Sequence, residues 1–260
     1  MDHLLPVLLL QTDIQWEKPE NNLRLLDAEL DAAGEDTALI LLPETFSTGF
    51  TMNAGRFAES RNGPTLEWMK KAAHRRGVHI MGSMVFREDG LIYNRMFHVS
   101  PSGVEGYYDK RHLFRMGRED EHFTAGNSRV VFRVGEFRIL PQICYDLRFP
   151  VFARNRNDYD VLLYVANWPA PRHQVWLSLL RARAIENQAL VIGVNRSGVD
   201  GEGMDHRGAS CVINARGDIE EQLGVEAGTL RAVADLQKIR ELREKFPVWR
   251  DADNFMLDMD

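Results

Sequence analysis

Cys144 stands where the apolar run 137–143 breaks into Cys144-Tyr145-Asp146-Leu147-Arg148-Phe149-Pro150. Such a break holds a thiol at the tip of a strand, facing a helix N-terminus whose partial positive charge favours thiolate. Glu44 occupies an equivalent place, just past the apolar run 38–42 in Leu42-Pro43-Glu44-Thr45-Phe46. Desolvation there raises a carboxyl pKa and suits the group to proton transfer near neutral pH. Lys110 follows a third run, 104–108, in Tyr107-Tyr108-Asp109-Lys110-Arg111-His112. An ammonium among aromatic residues can hold a developing oxyanion or favour a neighbouring thiolate.

Singly, each residue has an ordinary explanation: a small buried hydrophobe, a capping or surface carboxylate, a solvated basic turn. Jointly they point to an enzyme, because parallel or mixed sheets gather strand ends into one crevice. The set is chemically complete for acyl transfer. Cys144 attacks a carbonyl, and Glu44 takes the thiol proton and returns it to the leaving amine. Lys110 and the Tyr145 N–H stabilise the tetrahedral oxyanion, and water activated by Glu44 then hydrolyses the thioester. This chemistry needs no metal and no cofactor. Pro141 suits a strand terminus or edge and Pro150 the first turn of a following helix, so the site is similar to a nucleophile elbow without its glycine signature.

The elements that must position these residues are legible as alternating patterns. Strand-like runs recur at 7–11, 38–42, 79–86, 94–100, 104–108, 129–134, 137–143, 161–165, 190–194, 209–214 and 230–234. A tight turn at 101–103 joins one pair, and another at 214–217 leads into a strand over 218–222. Helical periodicity covers 21–33, closed by Gly34, and 65–76, opened by Pro64 and closed by Gly77. It returns at 173–189, with apolar residues at Trp176, Leu179, Leu180, Ala184 and Ile185, and at 236–246. Many strands with few helices favour two mixed sheets packed face to face and covered by helices. No repeat or linker interrupts the chain, so residues 1–260 are expected to form a single domain.

Composition narrows the function classes. The chain has 260 residues, 44% hydrophobic and 27% charged, within the ordinary globular range. A net charge of -6 argues against a nucleic-acid partner. Two cysteines make no disulfide framework, and no CxxC or Cys/His cluster offers a zinc site. The apolar stretch 4–10 contains Pro6, is too short to cross a bilayer, and reads as a buried first strand. A reduced, cytoplasmic protein with no membrane partner is expected.

The three segments resemble the nitrilase (carbon–nitrogen hydrolase) superfamily and its Glu–Lys–Cys triad. The resemblance lies in Leu-Pro-Glu-Thr-Phe around Glu44, Tyr-Asp-Lys-Arg-His-Leu-Phe around Lys110 and Ile-Cys-Tyr-Asp-Leu-Arg-Phe-Pro around Cys144. It continues through Tyr164-Val165-Ala166-Asn167-Trp168-Pro169 and Arg183-Ala184-Ile185-Glu186-Asn187-Gln188. It implies a four-layer αββα sandwich, α/β in class, assembled as a homodimer or larger homo-oligomer. The nearest likeness is to the ω-amidase branch, which implies a small-molecule amide substrate: hydrolysis of dicarboxylate monoamides such as α-ketoglutaramate and α-ketosuccinamate, with release of ammonia. The family also carries a second glutamate after the lysine. Glu119, seven positions before Gly126, fits best, with Glu121 as its competitor.

A substrate carboxylate asks for an arginine fork, and Arg148 and Arg172 follow strand ends near the expected crevice. Arg148 has an alternative tie to Asp146. Tyr145, Phe46 and Trp168 are candidates to contact substrate or wall the pocket. His112 suits a structural hydrogen bond, Cys211 a core position, and 198–203 a flexible glycine-rich loop near the mouth. Two alternatives stay open: a nitrilase or N-carbamoyl amino acid amidohydrolase with the same triad, and a non-catalytic binding protein on an amidase fold.

Overall fold

The computed structural model describes residues 3–34 and 36–257. In chain order the strands are β1 (Leu4–Gln11), β2 (Leu39–Leu41), β3 (His79–Glu88), β4 (Leu91–Ser100), β5 (Gly103–Asp109), β6 (Phe132–Val134) and β7 (Phe137–Ile143). They continue as β8 (Val161–Ala166), β9 (Leu190–Asn195), β10 (Ser197–Val199), β11 (Asp205–Arg207), β12 (Cys211–Ile213), β13 (Ile219–Gln222) and β14 (Gly228–Asp235). The helices are α1 (Pro19–Ala33), α2 (Ala54–Phe57), α3 (Pro64–Arg76), α4 (Pro150–Ala153), α5 (His173–Asn187) and α6 (Leu236–Lys245).

Two six-stranded sheets form, ordered β14-β1-β2-β3-β4-β5 and β13-β12-β9-β8-β7-β6. The central pairs β1–β2, β2–β3, β7–β8 and β8–β9 are parallel, and the flanking pairs are antiparallel. Central strands buried on both faces need continuous apolar sequence, which explains why 38–42 and 161–166 do not alternate. The inner faces meet through Leu9, Leu41, Met81, Ile139, Ile143, Val165 and their neighbours. Beneath α1 and α3 lies a second apolar layer with Leu26, Leu30, Ile40, Met69 and Ile80. Beneath α5 lies a third, with Trp176, Leu180, Leu162 and Tyr164. The order is helix, sheet, sheet, helix, as the chain's pattern implies.

Two glycines show how closely the layers approach. A Cβ at Gly193 of β9 would lie 2.6 Å from Leu180 and 2.8 Å from Trp176. Gly77 closes α3 in the left-handed region, φ +67, with its N–H on the Ala73 and His74 carbonyls. Among the described residues, no helix is long and apolar enough to cross a membrane.

The segment expected as a flexible glycine-rich loop is instead the tip of a hairpin. β10 and β11 pair antiparallel, with Gly198 opposite His206. Asp200 holds the tip by accepting from the Glu202 and Met204 N–H groups, each at 2.9 Å. Sequence reasoning missed it because three-residue strands in a glycine run carry too little periodicity to register.

Candidate active site

The parallel strands β2, β7 and β8 end at one edge of the sandwich, and Glu44, Cys144 and Asn167 come after them there. Past β2 the chain keeps pairing with β3: the Leu42 N–H donates to Met81 O at 2.8 Å and the Phe46 N–H to Ser83 O at 3.1 Å. Between them Thr45 takes φ +43, with its N–H on Ser83 Oγ at 2.9 Å. A β-branched residue in the left-handed region is strained, and strain of this kind persists only where surroundings enforce it. Here the turn directs Glu44 toward the opposite sheet. Asn167 donates its N–H to Glu44 Oε2 at 2.8 Å and its Nδ2 to the Glu44 carbonyl at 2.6 Å.

The other carboxylate oxygen of Glu44 accepts from Lys110 Nζ at 2.9 Å and from Asn94 Nδ2 at 2.8 Å. Lys110 emerges from β5 with its N–H on Asn94 O and its carbonyl accepting from the Gly126 N–H. Only glycine fits at 126, because a Cβ there would lie 2.2 Å from the Asp109 carbonyl oxygen. Lys110 Nζ also bonds Glu119, 3.0 Å from Oε1 and 2.9 Å from Oε2. Glu119 is fixed in turn by the Phe114 N–H on its Oε2 at 2.6 Å. Glu121 lies outside this cluster, exposed and paired with Arg118. Of the two candidate glutamates, the structure brings Glu119 into the site.

Glu44, Lys110 and Glu119 are all essentially inaccessible, at 0%, 1% and 0% exposure. Burial alone would strip the proton from Lys110, but the charges of Glu119 and Glu44 outweigh it and hold the ammonium above its ordinary pKa. Burial lifts Glu119 above the usual carboxyl value, and Lys110 opposes that rise. The Cys144 thiol is pushed well above its ordinary value by burial first and by the Glu44 charge next, with Lys110 pulling the other way. This direction runs against a thiolate favoured by the following turn, although the thiol is only half-buried at the cleft. The five-residue 3₁₀ turn Cys144–Arg148 is too short for its dipole to outweigh two carboxylates. That direction favours a resting thiol that keeps its proton. Cys144 itself sits at φ +46, a strained corner like that of Thr45.

Asp146 anchors this corner. Its Oδ2 accepts from the Ile143 N–H at 2.9 Å and the Tyr108 hydroxyl at 2.8 Å. Its Oδ1 takes the His112 N–H at 2.9 Å and lies 2.7 Å from the His112 ring, which stacks on Phe149. His112 is thus a framework residue. Arg148 is not tied to Asp146. Its guanidinium lies 5.3 Å from the Trp168 ring centre, at the cleft.

A cleft of about 410 Å³ opens onto Cys144 and Lys110. Tyr145, Arg148, Trp168 and Arg172 all line it, and Arg172 lies 5.5 Å over the Phe114 ring. Phe46 does not. It packs 5.9 Å from Trp68 in the layer under α3, admitted there because residue 82 of β3 is glycine. Phe50 takes the wall position, its ring centre 5.0 Å from Lys110 Nζ. The sequence reading missed Asn94 and Asn167 as site residues. The signal for Asn94 was an amide inside an apolar strand, fully buried with its N–H groups committed to Glu44 and Glu119. Cys211 is core, buried in β12, where desolvation pushes its thiol up to about 12.

This arrangement can carry out nucleophilic acyl transfer: a half-buried thiol at the cleft stands with a buried carboxylate and a buried ammonium behind it. Comparison with known proteins agrees in kind. The carbon–nitrogen hydrolase family model matches residues 7–244. Omega-amidase YafV of Escherichia coli is 46% identical over 255 residues, 97% of this chain and 98% of that one. The 2-oxoglutaramate amidase of Bacillus subtilis is 34% identical over 93% of this chain and 95% of its own. Among solved structures, a CN-hydrolase superfamily protein from Xanthomonas campestris with an arsenic adduct in its active site superposes with a TM-score of 0.96. It is 40% identical, covering 98% of this chain and 100% of that one.

Proposed function

Because the chain belongs to the carbon–nitrogen hydrolase family, we propose that Cys144, Glu44, Lys110 and Glu119 carry out its reaction, with the ω-amide of a dicarboxylate monoamide such as α-ketoglutaramate or α-ketosuccinamate as substrate. The enzyme is a hydrolase of carbon–nitrogen bonds other than peptide bonds, a thiol-dependent ω-amidase. The observation that carries the assignment of roles is the buried Glu44–Lys110–Glu119 cluster behind the Cys144 thiol at the cleft.

Cys144 Sγ attacks the amide carbonyl as Glu44 takes the thiol proton. Lys110 Nζ and the Tyr145 N–H hold the oxyanion. Collapse breaks the carbon–nitrogen bond, and Glu44 hands its proton to the departing nitrogen, which leaves as ammonia. A water molecule, deprotonated by Glu44, attacks the thioester, frees the dicarboxylate and restores the thiol. Arg148 and Arg172 supply guanidinium groups for the substrate carboxylate, and Trp168 shapes the wall between them. A free nucleophilic thiol suits a reducing cytoplasm, and residues 1–260 act as one unit. Exposed Ile185 on α5 and Phe246 after α6 support self-association into a dimer or larger assembly.

The test measures ammonia from α-ketoglutaramate beside a nitrile and an N-carbamoyl amino acid, with wild type and Cys144→Ala. Turnover of the ω-amide that vanishes in Cys144→Ala is expected. Full activity in that variant, or turnover of the nitrile alone, refutes the reading.

A further inference from the structure

We infer that His206 is a specificity-determining residue that hydrogen-bonds the carboxylate-bearing end of the substrate, at the far side of the molecule from the scissile amide. The inference rests on the ω-amidase reading and deepens it.

His206 lies on β11, is 4% exposed, and lines the same cleft as Cys144. Its ring is buried near the Met204 and Gly198 backbones but makes no hydrogen bond of normal geometry to them. Nδ1 has no partner, and Nε2 stands 4.0 Å from Asp200 Oδ2, beyond hydrogen-bond reach. Buried polar atoms are ordinarily satisfied, so an unsatisfied imidazole on a cleft wall marks where a ligand's polar atoms belong.

Cationic groups stand at this side of the cleft, which Asp200 and Glu202 also line. The 3₁₀ turn Ala170–Arg172 runs beside β11, and Arg172 and His206 line the same cleft. Arg196, wholly buried, acts on the His206 ring with its positive charge and has one Nη1 without a partner. Asp200, the carboxylate nearest the ring, has one oxygen committed to the Glu202 and Met204 N–H groups. Burial and Arg196 keep the imidazole from taking a second proton, while Asp200 and the Met204 and Gly198 backbones pull the other way. A neutral ring carries one N–H, which a carboxylate oxygen can accept.

The ring is also held in place rather than free to drift. Arg196 ties β10 to the start of the chain through Ile14 O at 3.1 Å and Asp13 Oδ1 at 3.2 Å. Gly201 lies against Trp16, where a Cβ would come within 2.2 Å of the indole. A donor fixed on a braced hairpin reads the length of a substrate as well as its charge. It rewards an amide whose carboxylate reaches it and gives nothing to one that lacks the group.

The experiment compares steady-state kinetics of wild type, His206→Phe and His206→Gln on succinamate, which has the carboxylate, and butyramide, which lacks it. Loss of one hydrogen bond to a charged group corresponds to roughly a tenfold to hundredfold change. For His206→Phe we expect KM for succinamate to rise by about that factor, with kcat nearly constant and butyramide kinetics unchanged. His206→Gln, which keeps a donor, recovers much of the loss and serves if the phenylalanine variant misfolds. A wild-type preference for succinamate that survives in both folded variants overturns the inference alone. Equal wild-type kcat/KM on the two amides overturns the substrate reading and this inference with it.

Discussion

Replacing Glu44 by glutamine separates two roles that the site combines. In the native protein one carboxylate oxygen accepts from Lys110 and Asn94, and the other accepts from the Asn167 N–H. Glutamine offers a single acceptor oxygen, so one of these groups must face an amide NH₂. The lesser cost turns the oxygen toward Lys110 and Asn94 and leaves the Asn167 N–H unsatisfied, a loss of about 1–3 kcal/mol. A typical domain keeps about 5–15 kcal/mol of stability, so the variant stays folded at 25 °C. Loss of a general base lowers turnover by about 10²–10⁴-fold, equivalent to roughly 3–5 kcal/mol of barrier. The thiol responds in the opposite sense. The Glu44 charge helps to hold Cys144 protonated, so its removal lowers the thiol pKa. Ammonia release and iodoacetamide alkylation, each measured from pH 6 to 10, read the two effects apart. Glu44→Gln should lose turnover while its alkylation profile moves to lower pH. Turnover within tenfold of wild type, or an unmoved profile in folded protein, refutes the assignment.

Glu119→Gln should cut kcat at least tenfold while Glu121→Gln stays within twofold, because only Glu119 touches Lys110; ammonia release on both variants decides it. In wild type, alkylation of Cys144 should climb with pH and show no plateau below about pH 9, since its raised pKa keeps the proton through the neutral range. Gly82→Ala would place a Cβ 2.7 Å from Leu42 and 3.0 Å from Phe46, at the turn that aims Glu44. It should cost about 1–3 kcal/mol in urea unfolding and lower kcat as well. Asp160 binds Arg138 and the largely buried Arg243, which pull its pKa down although burial would raise it. A depressed carboxyl stabilises the fold above its ordinary pKa and loses that contribution as pH falls. Asp160→Asn should therefore lose about 3 kcal/mol at pH 7, less at pH 3, with kcat of the folded enzyme unchanged; a loss equal at both pH values contradicts the linkage.

The fold was readable where pattern and packing agree. The runs 38–42 and 161–165 are apolar throughout because β2 and β8 are covered on both faces, and that continuity alone places Glu44 past a strand end. Other features have no linear signature. Phe46 and Phe50 look equally suited to a pocket wall. Only the turn at Thr45, with its positive φ, sends one under α3 and the other to the cleft. Asn94 is 50 residues from Glu44 and enters the site through antiparallel register in β4, which spacing cannot reveal. The thiol's protonation was misjudged for a related reason. The sequence showed a helix start beside Cys144, but the balance between a weak dipole and two buried carboxylates is set by distances across the two sheets.

Charge conservation explains why one carboxylate and one lysine would not suffice. The proposed mechanism starts with Glu44 and Glu119 ionised, Lys110 protonated and Cys144 neutral, one net negative charge on the cluster. Passing the thiol proton to Glu44 only moves that charge onto sulfur, so no new charge is created in a medium that penalises it. At the same moment Glu44 stops being an ionic partner for Lys110. Were it the sole partner, the ammonium would face the forming oxyanion while newly unpaired and inclined to lose its own proton. Glu119 prevents this, since it bonds Lys110 through both oxygens and is itself fixed by the Phe114 N–H. In the proposed mechanism Lys110 therefore stays charged through both half-reactions, and Glu44 is free to gain and lose a proton. On the proposed mechanism, that division of labour makes Glu119 a positioning residue with a kinetic consequence rather than a spectator.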